Sequence, residues 1–128
     1  MCMGKIIAIA NQKGGVGKTT TTINLGASLA SSGKRTLIID ADPQANATSG
    51  YGIDPRSMTS SIYECLVDGY PVDGSQVKTC VENLDLVGSR IDLAGAEIEL
   101  INKPNRERVL ANLLEPLKTV YDYILIDC

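Results

Sequence analysis

Histidine, tryptophan and phenylalanine are missing from this chain of 128 residues, and each absence closes off a class of function. Without histidine there is no Ser-His or Cys-His nucleophile pair and no imidazole ligand for zinc. Tyrosine, at five positions, is the sole aromatic, too few rings for a platform on which single-stranded bases stack. Cysteine is sparse as well. Cys2, Cys65, Cys80 and Cys128 lie far apart with no C-x-x-C spacing, which reads as free thiols in a reducing compartment. No apolar run approaches the roughly 20 residues that span a bilayer, and no leader of basic then apolar residues opens the chain. A cytoplasmic protein is the expectation. Its length and its 44% of apolar residues suit one folded domain with a substantial core.

Acid is missing too, throughout residues 1–39, where Lys5, Lys13, Lys18, Lys34 and Arg35 stand unopposed. The first carboxylates are Asp40 and Asp42, and the net formal charge of −3 gives no sign of a nucleic-acid binder overall. A basic segment followed at once by an aspartate pair suits a bound anion with a metal ion beside it.

Apolar runs supply the strands. Lys5-Ile-Ile-Ala-Ile-Ala10 is short and largely β-branched, as expected of a strand covered on both faces, and Thr36–Asp40 reads the same way. Between them a helix is expected from Gly17 or Lys18 to Ser32, with Leu25, Gly26 and Leu29 on one face and Gly33 as its C′ residue. Gly26, Ala27 and Ala30 would let that helix lie close to a sheet. Strand, helix, strand in this space is a βαβ unit, with parallel strands and a right-handed crossover.

Further along, residues 41–58 read as loop and Ser60–Val67 as a short helix. Leu84–Gly88 reads as a strand, and Ile91–Asn102 and Asn105–Val120 as helices, the last kinked or broken at Pro116. Tyr121–Asp127 is a third strongly apolar strand. The chain stops one residue later, where a parallel strand needs a returning helix, so it reads as the front portion of a larger domain.

The most informative stretch is Lys13-Gly-Gly-Val-Gly-Lys-Thr-Thr20, set between the first strand and the first helix. Glycines without Cβ atoms let successive N–H groups converge on phosphate oxygens. The helix that follows adds free N–H groups and the positive end of its dipole. Lys18 can reach the β/γ-phosphates, the Thr19 hydroxyl can ligate Mg2+, and Thr20 can bond the α-phosphate. A strict G-x-x-x-x-G-K-[ST] pattern would want glycine where Gln12 stands.

The segment instead resembles the deviant Walker A motif, K-G-G-x-G-K-[ST], of the ParA/MinD group of P-loop ATPases. "LIIDADPQANAT" (37–48) is similar to the second-strand motif of ParA/Soj-type partition proteins, and "YDYILIDC" (121–128) to their Walker B strand. "SIYECL" (61–66) and "IDLAGAEIEL" (91–100) resemble further ParA segments, so the likeness covers essentially the whole chain.

That resemblance implies an α/β fold of the P-loop NTPase type, three αβα layers around a mainly parallel sheet, with residues 1–128 as the N-terminal part of one ATPase domain cut off after the Walker B strand. It implies ATP/ADP and Mg2+ as ligands. Gly14, Gly15, Val16, Gly17, Lys18, Thr19 and Thr20 would form the phosphate cradle, and Asp42 would position or polarise the attacking water. Thr19, Asp40, Asp42 and Asp127 would serve the metal, the aspartates Asp40 and Asp127 through its waters. Lys13, the signature lysine, would reach across an ATP-sandwich homodimer to the partner's γ-phosphate, with Lys18 and Asp42 completing the catalytic set. The implied function is chromosome or plasmid segregation with a ParB-type partner, on the nucleoid in the full-length protein. Non-specific DNA contacts and adenine recognition in that family come from residues beyond this segment, and no DNA site is assigned here.

Plainer readings stand beside these. Asp40 could simply cap a turn, and Lys13 could be a solvated surface lysine. A MinD-like membrane-cycling ATPase would need an amphipathic tail, which this segment does not carry. A nucleotide-binding switch with negligible turnover would use the γ-phosphate to order segment 41–58.

Overall fold

The computed structural model describes residues 4–9, 16–40, 46–53, 62, 76–88 and 111–127, without the side chains of 16–19 and 46. Five strands form one sheet: β1 (Lys5–Ile9), β2 (Thr36–Asp40), β3 (Val77–Lys78), β4 (Leu84–Val87) and β5 (Tyr123–Asp127). Their order is β1-β5-β2-β4-β3. β5 pairs in parallel with β1 on one side and β2 on the other, β2 pairs in parallel with β4, and the short β3 runs antiparallel to β4. The first βαβ unit is thus parallel, as its sequence implies, but its two strands are not neighbours. The last strand lies between them.

Why β5 takes an interior position follows from its composition. Ile124, Leu125 and Ile126 are buried, as are Leu37, Ile38 and Ile39 of β2, and a strand apolar on both faces is stable only between two layers. Alternation then sorts the side chains. Leu37, Ile39, Val87, Ile124 and Ile126 point to a cluster with Ile62, Leu114, Leu117 and Tyr121. Ile38, Leu84, Leu86 and Leu125 point to the other face, with Ala30, Ala47 and Tyr51. Packed groups on both faces of a mainly parallel sheet make the expected three-layer α/β architecture.

β1 departs from expectation. All five of its residues are half-buried or exposed, and among the described residues it has a single strand neighbour. Apolar composition alone does not separate a central strand from an edge strand, because position in the sheet is settled by pairing.

Helix α1 (Val16–Ser31) covers the sheet with a stripe of Thr22, Gly26 and Ala30, spaced at four residues. A Cβ on Gly26 would sit 2.7 Å from the Ile38 Cδ1, which shows how closely the helix lies to β2. Its end is a Schellman motif. Gly33 has φ +84, its N–H donates to Ala30 O, and Lys34 N–H donates to Leu29 O.

Residues read as loop after β2 contain a further helix, α2 (Asn46–Gly50). Its sequence has weak helical propensity, and tertiary contacts override that: Ala47 and Thr48 are wholly buried. The Tyr51 hydroxyl, just past α2, donates to Ile23 O of α1 at 2.7 Å, and burial pushes its pKa up to about 12. β3 is the other element absent from the sequence reading, two residues long and fixed by pairing with β4.

The break at Pro116 takes the form of a change in helix type. Residues 111–114 are α-helical and Glu115–Thr119 continue as a 3-10 turn with the proline at its start. Ile62 is helical and buried, while the rest of the expected helix 60–67 and all of 91–102 lie outside the described residues. Among the cysteines, Cys80 is described and is an exposed free thiol.

The end of the sheet away from the strand carboxyl termini is pinned by Arg35 and Asp122. Arg35 N–H donates to Asp122 Oδ2 at 2.9 Å, and Asp122 N–H donates to Arg35 O at 2.7 Å. Nearby, the Tyr121 hydroxyl donates to Asp85 Oδ2 at 2.6 Å, and burial, aided by that bond, pushes the phenol up to about 12. Gly4 closes against the same turn, its N–H donating to Lys118 O at 2.8 Å. A Cβ there would fall 2.1 Å from Tyr121 O, a backbone atom with little room to retreat. Gly4→Ala should therefore cost about 1–3 kcal/mol, read as a lower urea midpoint with an unchanged m value.

Candidate functional site

In a parallel sheet all carboxyl ends lie along one edge, and here that edge gathers the chemistry. The register aligns Ile9 of β1 with Asp127 of β5, and Asp127 with Asp40 of β2. Two aspartates distant in sequence thereby become direct neighbours across a strand ladder. Both have no solvent exposure. β1 leads through residues 10–15 to α1, whose first turn carries Val16, Gly17, Lys18 and Thr19.

Each carboxylate is held by a helix. Asp40 Oδ2 accepts from the backbone N–H of Thr48 at 2.8 Å and from the Thr48 hydroxyl at 2.5 Å. The turn-capping role considered for Asp40 is therefore real, and it fastens α2 to the end of β2. Asp127 Oδ1 accepts from the Thr22 hydroxyl of α1 at 3.5 Å, a contact buried from solvent. Thr22 and Thr48 were not singled out in the sequence. The signal for Thr22 is its place on the 22/26/30 stripe, one turn beyond Lys18. Thr48 gives less away, since nothing local marks the third residue of so short a helix.

Of the residues expected to act, Asp40 and Asp127 are brought together, and Thr20 lies on the exposed side of α1. Lys18 and Thr19 lie on the first turn of α1 with Val16 and Gly17. Lys13, Gly14, Gly15 and Asp42 lie outside the described residues.

Two carboxylates buried side by side are costly without positive charge nearby. The amides that open α1 have no acceptors within the helix and carry the positive end of its dipole. A divalent cation is a further compensation, and the donors fit a hard one. Carboxylate and hydroxyl oxygens suit Mg2+, which keeps several waters and takes one or two carboxylates plus phosphate oxygens. Among the described residues there is no group of three or more histidine, cysteine, aspartate or glutamate residues that could hold a metal ion. The arrangement can hold a hydrated cation between the strand ends and an anion at the helix start.

Comparison with known proteins finds relatives along nearly the whole chain. Over 126 residues the chain is 57% identical to sporulation initiation inhibitor protein Soj of Bacillus subtilis (strain 168), covering 98% of this chain and 50% of that protein. It is 53% identical to chromosome partitioning protein ParA of Myxococcus xanthus, covering 98% of this chain and 44% of that one. Among solved structures, cobyrinic acid a,c-diamide synthase from Mycobacterium smegmatis, with bound ADP and magnesium, matches with a TM-score of 0.90 and 40% identity, over 98% of this chain and 51% of the other. The chain spans about half the length of the curated relatives it matches. Residues 4–128 match the family model described as AAA domain, and the chain belongs to that family, on the side of it occupied by the Soj and ParA proteins.

Proposed function

We propose that this chain carries the phosphate- and metal-binding half of a ParA/Soj-type partition ATPase. The observation that carries the reading is the buried pair of Asp40 and Asp127, in register on adjacent strands beside the start of α1. In this reading the amides of residues 14–20 hold the polyphosphate of ATP, with Lys18 on the β/γ-phosphates. Thr19, Asp40 and Asp127 hold Mg2+, the two aspartates through its waters. Asp42 orients the attacking water. Magnesium, when bound, neutralises charge on the transferring phosphoryl group. The protein contributes position and charge, which is most of what phosphoryl transfer requires.

Lys13 has a separate task. Lys18 already serves the phosphates of its own loop, so Lys13 reaches those of a second copy of the chain across an ATP-sandwich dimer. The dimer, a ParB-type partner that stimulates hydrolysis, and DNA binding by the full-length protein all belong to this proposal. The likeness to Soj and ParA supports it. Among the described residues no helix is long and apolar enough to cross a membrane.

The test is Lys13→Ala in the full-length protein, with light scattering to follow ATP-dependent dimerisation and phosphate release to follow turnover. Loss of the dimer and a fall in stimulated hydrolysis of roughly a hundredfold are expected, in line with cations that act in trans on a phosphoryl group. Wild-type behaviour in both assays would remove the trans role of Lys13.

A further inference from the structure

We propose that Thr48 is a positioning residue for the metal-side carboxylate of Asp40, an inference that rests on the nucleotide reading above. Thr48 is wholly buried, and both of its donors, backbone N–H and hydroxyl, go to one oxygen, Asp40 Oδ2. Two bonds to a single oxygen stop the carboxylate from rotating and leave the group with one orientation at the strand end. The donor is itself fixed. α2 is anchored by Ala47 and Tyr51 in the core with Ile38 and Leu125, and by the Tyr51 hydroxyl on Ile23 O at 2.7 Å.

Such rigidity matters for Mg2+ in particular. The ion demands near-octahedral geometry and gives up water reluctantly, so a carboxylate that addresses it through water must be aimed well. Hydrogen-bond partners one step removed from a metal supply that aim, and their loss typically costs about 10–100-fold in metal affinity or activity. A mere structural cap would stabilise α2 and leave the metal indifferent.

Those alternatives separate experimentally in the full-length protein. A fluorescent ATP analogue is titrated with and without Mg2+, and Mg2+ is titrated at fixed nucleotide, in wild type, Thr48→Val and Thr48→Ser. Valine keeps the shape and the backbone donor but loses the hydroxyl, whereas serine keeps both donors. Thr48→Val should raise the Mg2+ concentration at half-saturation by about tenfold or more, leaving the Mg2+-free nucleotide affinity within about twofold. Thr48→Ser should restore wild-type Mg2+ dependence to within about threefold. If circular dichroism shows that Thr48→Val does not fold, Thr48→Cys, similar in size and a weak donor, takes its place with the same expectation. Unchanged Mg2+ dependence in Thr48→Val overturns this inference alone. An equal shift in Thr48→Val and Thr48→Ser overturns it too, by assigning the effect to packing. A wild type that binds no nucleotide with Mg2+ overturns the nucleotide reading and this inference together.

Discussion

Replacing Lys18 by alanine should reduce ATP hydrolysis by at least about a hundredfold, the scale on which loss of one well-placed donor to transition-state charge is felt. Lys18 lies on the first turn of α1, the helix that follows β1 in the chain. The loss should appear in binding as well as in turnover, because the same contact serves bound ATP and the transferring group. Phosphate release and fluorescent-nucleotide affinity, measured at one Mg2+ concentration, separate the two effects. Hydrolysis within threefold of wild type would mean that residues 14–20 do not cradle a triphosphate. The fold should be untouched, so the urea midpoint of Lys18→Ala serves as the internal control.

The second large effect concerns the core. Leu125→Ala should destabilise the protein by about 2–5 kcal/mol, the range for a buried leucine truncated to alanine. Leu125 has no solvent exposure, and its register neighbours are Ile7 on β1 and Ile38 on β2. It packs against the face that carries Ala30, Ala47 and Tyr51, so the cavity opens under both α1 and α2. A domain of this size holds only about 5–15 kcal/mol in total, and Tm should fall by on the order of 10 °C. Val120, partly exposed at 37%, provides the contrast. Val120→Ala should stay within about 0.5 kcal/mol of wild type. Equal midpoints for the two variants would mean that β5 is not a buried interior strand of the sheet.

The site and the fold were legible in the sequence to different degrees. The glycines and lysines of 13–20, spaced between a strand and a helix, carry the proposal of phosphate binding from the sequence. Gly33 and Pro116 were equally readable. A glycine after a helical run tends to a left-handed cap, and a proline inside one forces a break, whatever surrounds them. α2 and β3 were not readable. Thr48 becomes helical because Asp40 and the core hold it, and Val77–Lys78 becomes a strand because β4 offers an edge.

By itself the sequence determined the apolar segments that must be strands, the helix between the first two, the glycine- and lysine-rich run of 13–20 and the acidic residues that end two of the strands. Those are properties of short windows, governed by side-chain period, backbone freedom and charge. The tertiary structure alone decided that β5 enters between β1 and β2, and so that Asp127 stands beside Asp40 rather than far from it. It also decided that β1 has a single strand neighbour among the described residues, and that threonines on two helices hold the two acids. Strand order is a competition among long-range pairings of near-equal local strength. It is won by burying the strands that are apolar on both faces, a quantity that exists only once the layers have come together.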